Sequence, residues 1–257
     1  MKKKRKKKLN IKKIILFIIF IALIVILIRN ITTSDKVTNI INNNPFIQND
    51  NGYSVIKQDT NENYSGKGQE KVSNKDGYYT TFTTNDPYKK TYIEYKQNGE
   101  ASWSKNTYWN DYMENSGCGI TAMSVILSGY GKSVTPEDLR NKYYPVIDYE
   151  SLDKEFSNSY GIKATGFFYD STHLSKKYIN EHLLSNRPVL ICVWNKPNEN
   201  RWTTTSHYMV LLASDGDDMV YISNPNGGKN DSKSSGWYKY KEVIPYIAKA
   251  LFIESYE

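Results

Sequence analysis

Residues Ile14–Ile28 ("IILFIIFIALIVILI") are 15 consecutive apolar positions closed off by Lys13 and Arg29. No other stretch constrains the chain as strongly, because a run without a polar face cannot lie on the surface of a water-soluble domain. It is shorter than the ~20 residues that span a bilayer core, and its length also fits the apolar core of a signal peptide. The following "RNITTSDK" offers no A-x-A-like cleavage site, and flanking Lys and Arg can snorkel to lengthen the effective span. The expectation is an uncleaved signal anchor over residues 14–28. A cleaved signal with a secreted product is the alternative. A buried core helix is disfavoured by the nine basic residues directly upstream. The positive-inside rule then puts residues 1–13 in the cytoplasm and the chain from residue 30 onward outside it, with the cytoplasmic membrane as a partner through residues 14–28.

The net charge of +7 belongs to the same topology signal. Ten of the 34 Lys and Arg fall in the first 29 residues, which hold no acidic residue, leaving 24 basic against 27 acidic positions elsewhere. A basic excess so localised gives no reason to expect a nucleic-acid partner. Residues 29–75 are rich in Asn, Thr, Ser, Asp, Gln and Lys with scattered hydrophobes. That composition buries too little apolar surface to offset chain ordering, so a flexible polar stalk is expected, with no internal repeat. The folded domain is assigned to residues 76–257.

Order is expected from about Tyr78. "GYYTTFTTNDPYKKTYIEYKQ" alternates around a turn at Asn85–Pro87 and reads as a β-hairpin. Ile120, Met123, Ile126, Leu127 and Tyr130 recur at helical spacing after Cys118, and Gly131 stops that helix. In "SVTPEDLRNKYYP", Thr135 is the N-cap, Pro136 the first helical residue and Asp138 the third position after the cap. "SLDKEFSNSYG" and "STHLSKKYINEHLLSNRP" predict two further helices, with a strand at "KATGFFY" between them. Then the pattern changes to strands over 188–194, 207–215 and 219–225, the last two joined by "DGDD", and the tail gives a helical turn and a final strand. Helices first and an antiparallel sheet second is the α+β order.

Cys118 sits between Gly117 and Gly119 where the first helix begins. Cysteine chemistry needs a thiolate, a group that keeps it deprotonated, and donors for an oxyanion. A helix N-terminus supplies partial positive charge and free N–H groups, and the glycines permit close approach. The alternative is a small apolar residue that merely packs. Of the three histidines, His173 and His182 lie in a lysine-flanked helix and are expected to face solvent. His207 opens an apolar strand after the polar loop 195–206, which is expected to border a cleft. Asn224 ends the strand after the hairpin, near the same end of the sheet as His207, where it could hold an imidazole tautomer or simply form a turn before Pro225. Cys192, in "VLICVW", reads as core. A Cys118–Cys192 disulfide is the competing use of the only two cysteines.

The segments "YKQNGEASWSKNTYW", "ENSGCGITAMSVILSGYGKSVTPEDL", "RPVLICVW" and "SHYMVLLASDGDDMVYISNPN" together resemble the C-39-like peptidases, papain-fold relatives of the domains that cleave bacteriocin leaders. The resemblance covers roughly residues 92–253. It implies a papain-like α+β fold with the nucleophile helix packed on an antiparallel sheet. It also implies Cys118 as nucleophile, His207 as general base and acid, Asn224 as orienter and Gln97, ahead of Trp103, as oxyanion donor beside the Cys118 N–H. Many members carry Asp where this chain has Asn224, and Gly119 replaces the aromatic residue that follows the cysteine in the cathepsin-type box. No transporter span or nucleotide-binding motif follows, which disfavours leader removal coupled to export.

Three functions follow as expectations. The first is a membrane-anchored extracytoplasmic cysteine peptidase acting on a peptide or protein through an acyl-enzyme. The second is a hydrolase of cell-wall stem peptides, and the third a non-catalytic peptide-binding module, for which the 22 tyrosines could line a surface. No metal or other cofactor is expected, since no His/Cys/Asp cluster has ligand spacing. The oligomeric state is left open.

Overall fold

The structure is a computed structural model that describes residues 54–57, 70–74, 77–84, 89–99, 101–196, 199, 201–226 and 234–256, with side chains from Thr81 to Glu254. Among these residues no helix is long and apolar enough to cross a membrane. The basic segment 1–13 and the apolar run 14–28 lie outside them.

The chain opens with strands β1 (Ser54–Lys57), β2 (Glu70–Asn74), β3 (Gly77–Thr83) and β4 (Thr91–Glu94), which form one antiparallel sheet in that order. The β3–β4 pair, Thr80 opposite Glu94 and Thr83 opposite Thr91, is the hairpin the alternation predicts, and its expected turn lies outside the described residues. β1 and β2 fall inside the segment expected to be stalk, so strands begin ahead of Tyr78. β2 pairs through its main chain with β3, for example Val72 opposite Tyr79, and β1 with β2, a pairing that composition does not register. The remainder of 29–75 lies outside the described residues.

A short ribbon of β5 (Thr107–Tyr108) and β6 (Asp111–Tyr112) leads to α1 (Met113–Ser116), a single turn, and then to α2 (Cys118–Gly129). Every residue of α2 from Gly119 to Leu127 is buried. A helix apolar on all sides needs cover on all sides: α2 packs against β4 on one flank and, across the molecule, against a strand of the larger sheet. It ends as expected, with Gly131 at φ 70° and the Lys132 N–H donating to the Leu127 carbonyl at 3.0 Å. Next, α3 (Pro136–Tyr143) carries the predicted cap. The Asp138 N–H donates to Thr135 Oγ1 and the Thr135 N–H to Asp138 Oδ2 at 2.8 Å.

α4 (Leu152–Tyr160), closed by Gly161 at φ 66°, β7 (Ile162–Ala164) and α5 (Lys176–Leu184) precede the sheet. β8 (Val189–Trp194), β9 (Ser206–Ser214), β10 (Met219–Ser223), β11 (Gly236–Lys239) and β12 (Ile247–Tyr256) complete it. The order is β11-β10-β9-β8-β12-β7, antiparallel throughout. The architecture is thus mixed helix and sheet in α+β order. β8 and β9 are central, which explains their continuous apolar runs: both faces are covered. On one face Val189, Ile191, Met209 and Leu211 form a core with Ile179 and Leu183 of α5. The strand of the larger sheet that α2 touches is β9.

His182 corrects a sequence expectation. It is buried in α5, edge-on to Phe252 with ring centroids 4.9 Å apart. His173 lies ahead of α5 in a turn, partly covered, with Nδ1 bonded to Asp170 at 2.7 Å and its ring stacked on Phe168. Burial, reinforced by the Arg187 charge, pushes the His182 imidazole down to about 4. In the unfolded chain a histidine protonates near 6.5, so the stabilisation from keeping His182 neutral is complete above about pH 6.5. It is lost as pH falls through about 4. The change is on the order of 2–3 kcal/mol. Urea unfolding at pH 7 and pH 4.5 should show a larger loss for the native chain than for His182→Phe. Equal losses would mean that His182 is not held neutral.

Candidate active site

Cys118 is the first residue of α2 and is partly exposed, whereas Cys192 on β8 is buried. Both thiols are free, which removes the disulfide alternative. Three backbone N–H groups serve the Cys118 sulfur: its own, that of Gly119, and that of Tyr208 on β9. Each favours the thiolate, yet burial is the larger influence and pushes the thiol above its ordinary value. The helix N-terminus alone does not make a thiolate here.

His207 stands one residue from Tyr208, whose N–H serves the Cys118 sulfur. His207 is 4% exposed and Asn224 1% exposed, and His207 Nε2 meets Asn224 Oδ1 at 2.7 Å. The two are brought together by the β9–β10 hairpin, where Val210 lies opposite Ser223. Asn224 Oδ1 also accepts the Asn226 N–H at 2.9 Å, so the amide is held on two sides. With Oδ1 as the acceptor, the imidazole carries its proton on Nε2 and Nδ1 is the basic nitrogen.

Gln97 is 2% exposed and donates from Nε2 to the Glu114 carbonyl of α1 at 2.7 Å, just ahead of Cys118. Its Oε1 is buried without a hydrogen-bond partner among the described residues. The Gln97 N–H donates to the Pro225 carbonyl at 3.0 Å, tying this side chain's backbone to the Asn224 loop. Trp103, quoted with Gln97 in the sequence pattern, donates from Nε1 to the Lys96 carbonyl at 2.8 Å and fixes the turn between them. Of the four expected site residues, His207 and Asn224 are in direct contact; Gln97 reaches the Glu114 carbonyl four residues before Cys118, and Cys118 takes the N–H of Tyr208, the neighbour of His207.

Sequence reasoning missed the aromatic wall. Tyr149 stacks on Tyr208 with centroids 4.9 Å apart, and its hydroxyl lies 3.5 Å from that of Tyr108. A Cβ at Gly119 would fall 2.1 Å from Tyr149 Cε1, so only glycine allows that ring to close over the start of α2. The glycine after the cysteine was the available signal. Trp202, in the 195–206 loop, is turned into the core instead, donating to the Glu242 carbonyl at 3.0 Å.

A partly exposed cysteine on a helix N-terminus, beside a strand that presents a histidine bonded to an asparagine, is the side-chain set of the cysteine peptidase class. The model of the Peptidase_C39 like family matches residues 104–250, more than half of the chain, and the protein belongs to that family. Among solved structures, a proposed C39-like peptidase from Bacillus anthracis aligns at 15% identity and a TM-score of 0.40, over 55% of this chain and 90% of that one. That likeness is too slight to argue from. No curated protein matches the sequence.

Replacing Gly119 by Ala tests the wall. Alanine favours a helix by up to ~1 kcal/mol over glycine, but here it must displace Tyr149 from Tyr208. Net destabilisation of about 1–3 kcal/mol is expected, read as a lower urea midpoint. A stabilised variant would mean the ring moves aside freely.

Proposed function

We propose that the protein is a membrane-anchored cysteine peptidase whose domain works outside the cytoplasm and hydrolyses peptide bonds through an acyl-enzyme. The observation that carries this reading is the buried His207–Asn224 pair, 2.7 Å apart, one residue from the Tyr208 N–H that serves the Cys118 sulfur. The run 14–28 with its basic flank supports the anchor and the side of the membrane.

His207 Nδ1 takes the thiol proton, and the Cys118 sulfur attacks the substrate carbonyl carbon, forming the C–S bond. The carbonyl electron pair moves onto oxygen, where the Cys118 N–H and Gln97 Nε2 are the donors. Collapse breaks the C–N bond, and the His207 imidazolium gives its proton to the leaving amine. Water, deprotonated by His207, then attacks the thioester carbon and releases the acid and the thiol. Asn224 accepts from Nε2–H throughout, which fixes the tautomer with Nδ1 toward the sulfur. The raised thiol is consistent with a resting thiol–imidazole pair, charged only as the proton moves to His207.

The test is the pH dependence of alkylation at Cys118, with Cys192 as internal control, since burial pushes that thiol up to about 11. Cys118 should label fast below the free-thiol value of ~8.5, and His207→Ala should slow labelling by about 100-fold. Cys118→Ala should abolish peptide turnover in a folded chain, and Cys192→Ser should spare it. Ordinary titration indifferent to His207 would make this a peptide-binding module. Cleavage of purified cell wall in preference to soluble peptides would make it a stem-peptide hydrolase.

A further inference from the structure

After β4 the chain runs alongside the segment that carries the proposed orienter, and one partly buried cation in that stretch has no part in the mechanism above. Lys96 Nζ donates to the Asn224 carbonyl at 2.7 Å and to Ser235 Oγ at 2.9 Å. Ser235 Oγ in turn accepts the Asn224 N–H at 2.9 Å. Both main-chain polar groups of Asn224 are thereby held within a closed ring of three residues. Neighbouring bonds run the same way: Tyr221 donates its hydroxyl to Glu94 Oε2 at 3.0 Å, and Asn98 Nδ2 to Asn226 Oδ1 at 2.6 Å.

We propose that Lys96 is a positioning residue for the Cys118–His207–Asn224 set, clamping the Asn224 backbone so that its amide holds His207 in one tautomer. The inference rests on the peptidase reading of the site. Its physical basis is that the Asn224 side chain has to reach the imidazole from a loop, and Pro225 after it cannot contribute a main-chain donor. Within the loop the Asn226 N–H holds only the side-chain oxygen, so the bonds to the Asn224 main chain come from Lys96 and Ser235. A buried ammonium is costly unless hydrogen-bonded and matched. Lys96 has two oxygen acceptors for its donors. Burial lowers the Lys96 value, and the Glu94 charge opposes that. A methionine of similar length would leave the Asn224 carbonyl without its donor and free the loop to turn. Because Gln97 is the next residue, the same clamp sets the register between the oxyanion donor and the orienter. The Gln97 N–H to Pro225 carbonyl bond, 3.0 Å, lies directly beside it.

The experiment compares the full chain with Lys96→Met, Lys96→Arg and Ser235→Ala, measuring Cys118 alkylation by iodoacetamide from pH 5 to pH 9 and the urea midpoint. Lys96→Met should slow alkylation below pH 8 by about 10–100-fold, the range typical of losing a partner that orients a functional side chain. Its pH profile should also move toward that of an ordinary thiol. Lys96→Arg, which keeps the donors and charge, should recover most of the rate. Ser235→Ala, which removes one corner of the ring and leaves the charge, should slow alkylation several-fold with the urea midpoint little changed. A folded Lys96→Met chain with the native pH profile would overturn the proposal. If that variant does not fold, Ser235→Ala decides, and a native profile there overturns it equally. A native chain whose Cys118 already titrates as an ordinary thiol would sink the peptidase reading itself, which is a separate outcome.

Discussion

Everything in the described structure is arranged around a helix that has no solvent face. Because α2 is buried from Gly119 to Leu127, it has to be enclosed from two directions, by β4 and by β9. That enclosure leaves Cys118 partly open at the N-terminal end, with the first N–H groups of the helix and one from β9 turned to its sulfur. The small sheet and the large sheet are joined on the far side by aromatic contact, Phe82 stacking on Tyr221 at 3.7 Å with Trp237 edge-on to both. Such stacking adds to the area that the rings bury. The packing that covers the helix thus also fixes where β10 delivers Asn224.

Electrostatics at Cys118 run against the simplest expectation for a helix N-terminus. The macrodipole and free N–H groups favour a thiolate, yet closing the site around the sulfur removes the water that would stabilise the same charge. Desolvation wins. The Tyr149 and Tyr208 rings, stacked beside the start of α2, thus work against the helix terminus. Under the proposed mechanism, the more complete that cover, the more the thiol depends on His207 to take its proton.

Much of this was legible in the sequence, and what was not has physical causes. Periodicity found α2, and local chemistry found its stop at Gly131 and the Thr135–Asp138 cap of α3, because both depend on residues a few positions apart. The four candidate site residues were named from a pattern, and the structure puts two of them, His207 and Asn224, in direct contact. β11 escaped because "GWYK" has no alternation of its own and exists by pairing with β10. β1 and β2 escaped because main-chain pairing leaves no trace in composition. His182 was misjudged although a signal was present: it follows Ile179 by three positions and precedes Leu183, which puts it on the buried face of α5. The flanking lysines drew attention to the wrong side. Lys96 carried no signal, since its partner Asn224 is 128 residues away.

The identity of residue 224 becomes intelligible in that setting. Many C-39-like sequences have Asp in the orienting position, and a carboxylate would stabilise an imidazolium directly. Here the loop carbonyl of residue 224 is already bonded to Lys96 Nζ. A neutral amide lets the site satisfy His207 and the Asn226 N–H with one oxygen while adding no further buried charge. The consequence is a pair that relies on orientation rather than on charge. An amide fixes which imidazole nitrogen is basic and where it points, but gives the imidazolium little of the stabilisation a carboxylate would. Geometry then carries a larger share of the activation, which is why a clamp on the backbone of Asn224 matters more in this chain than it would beside an aspartate.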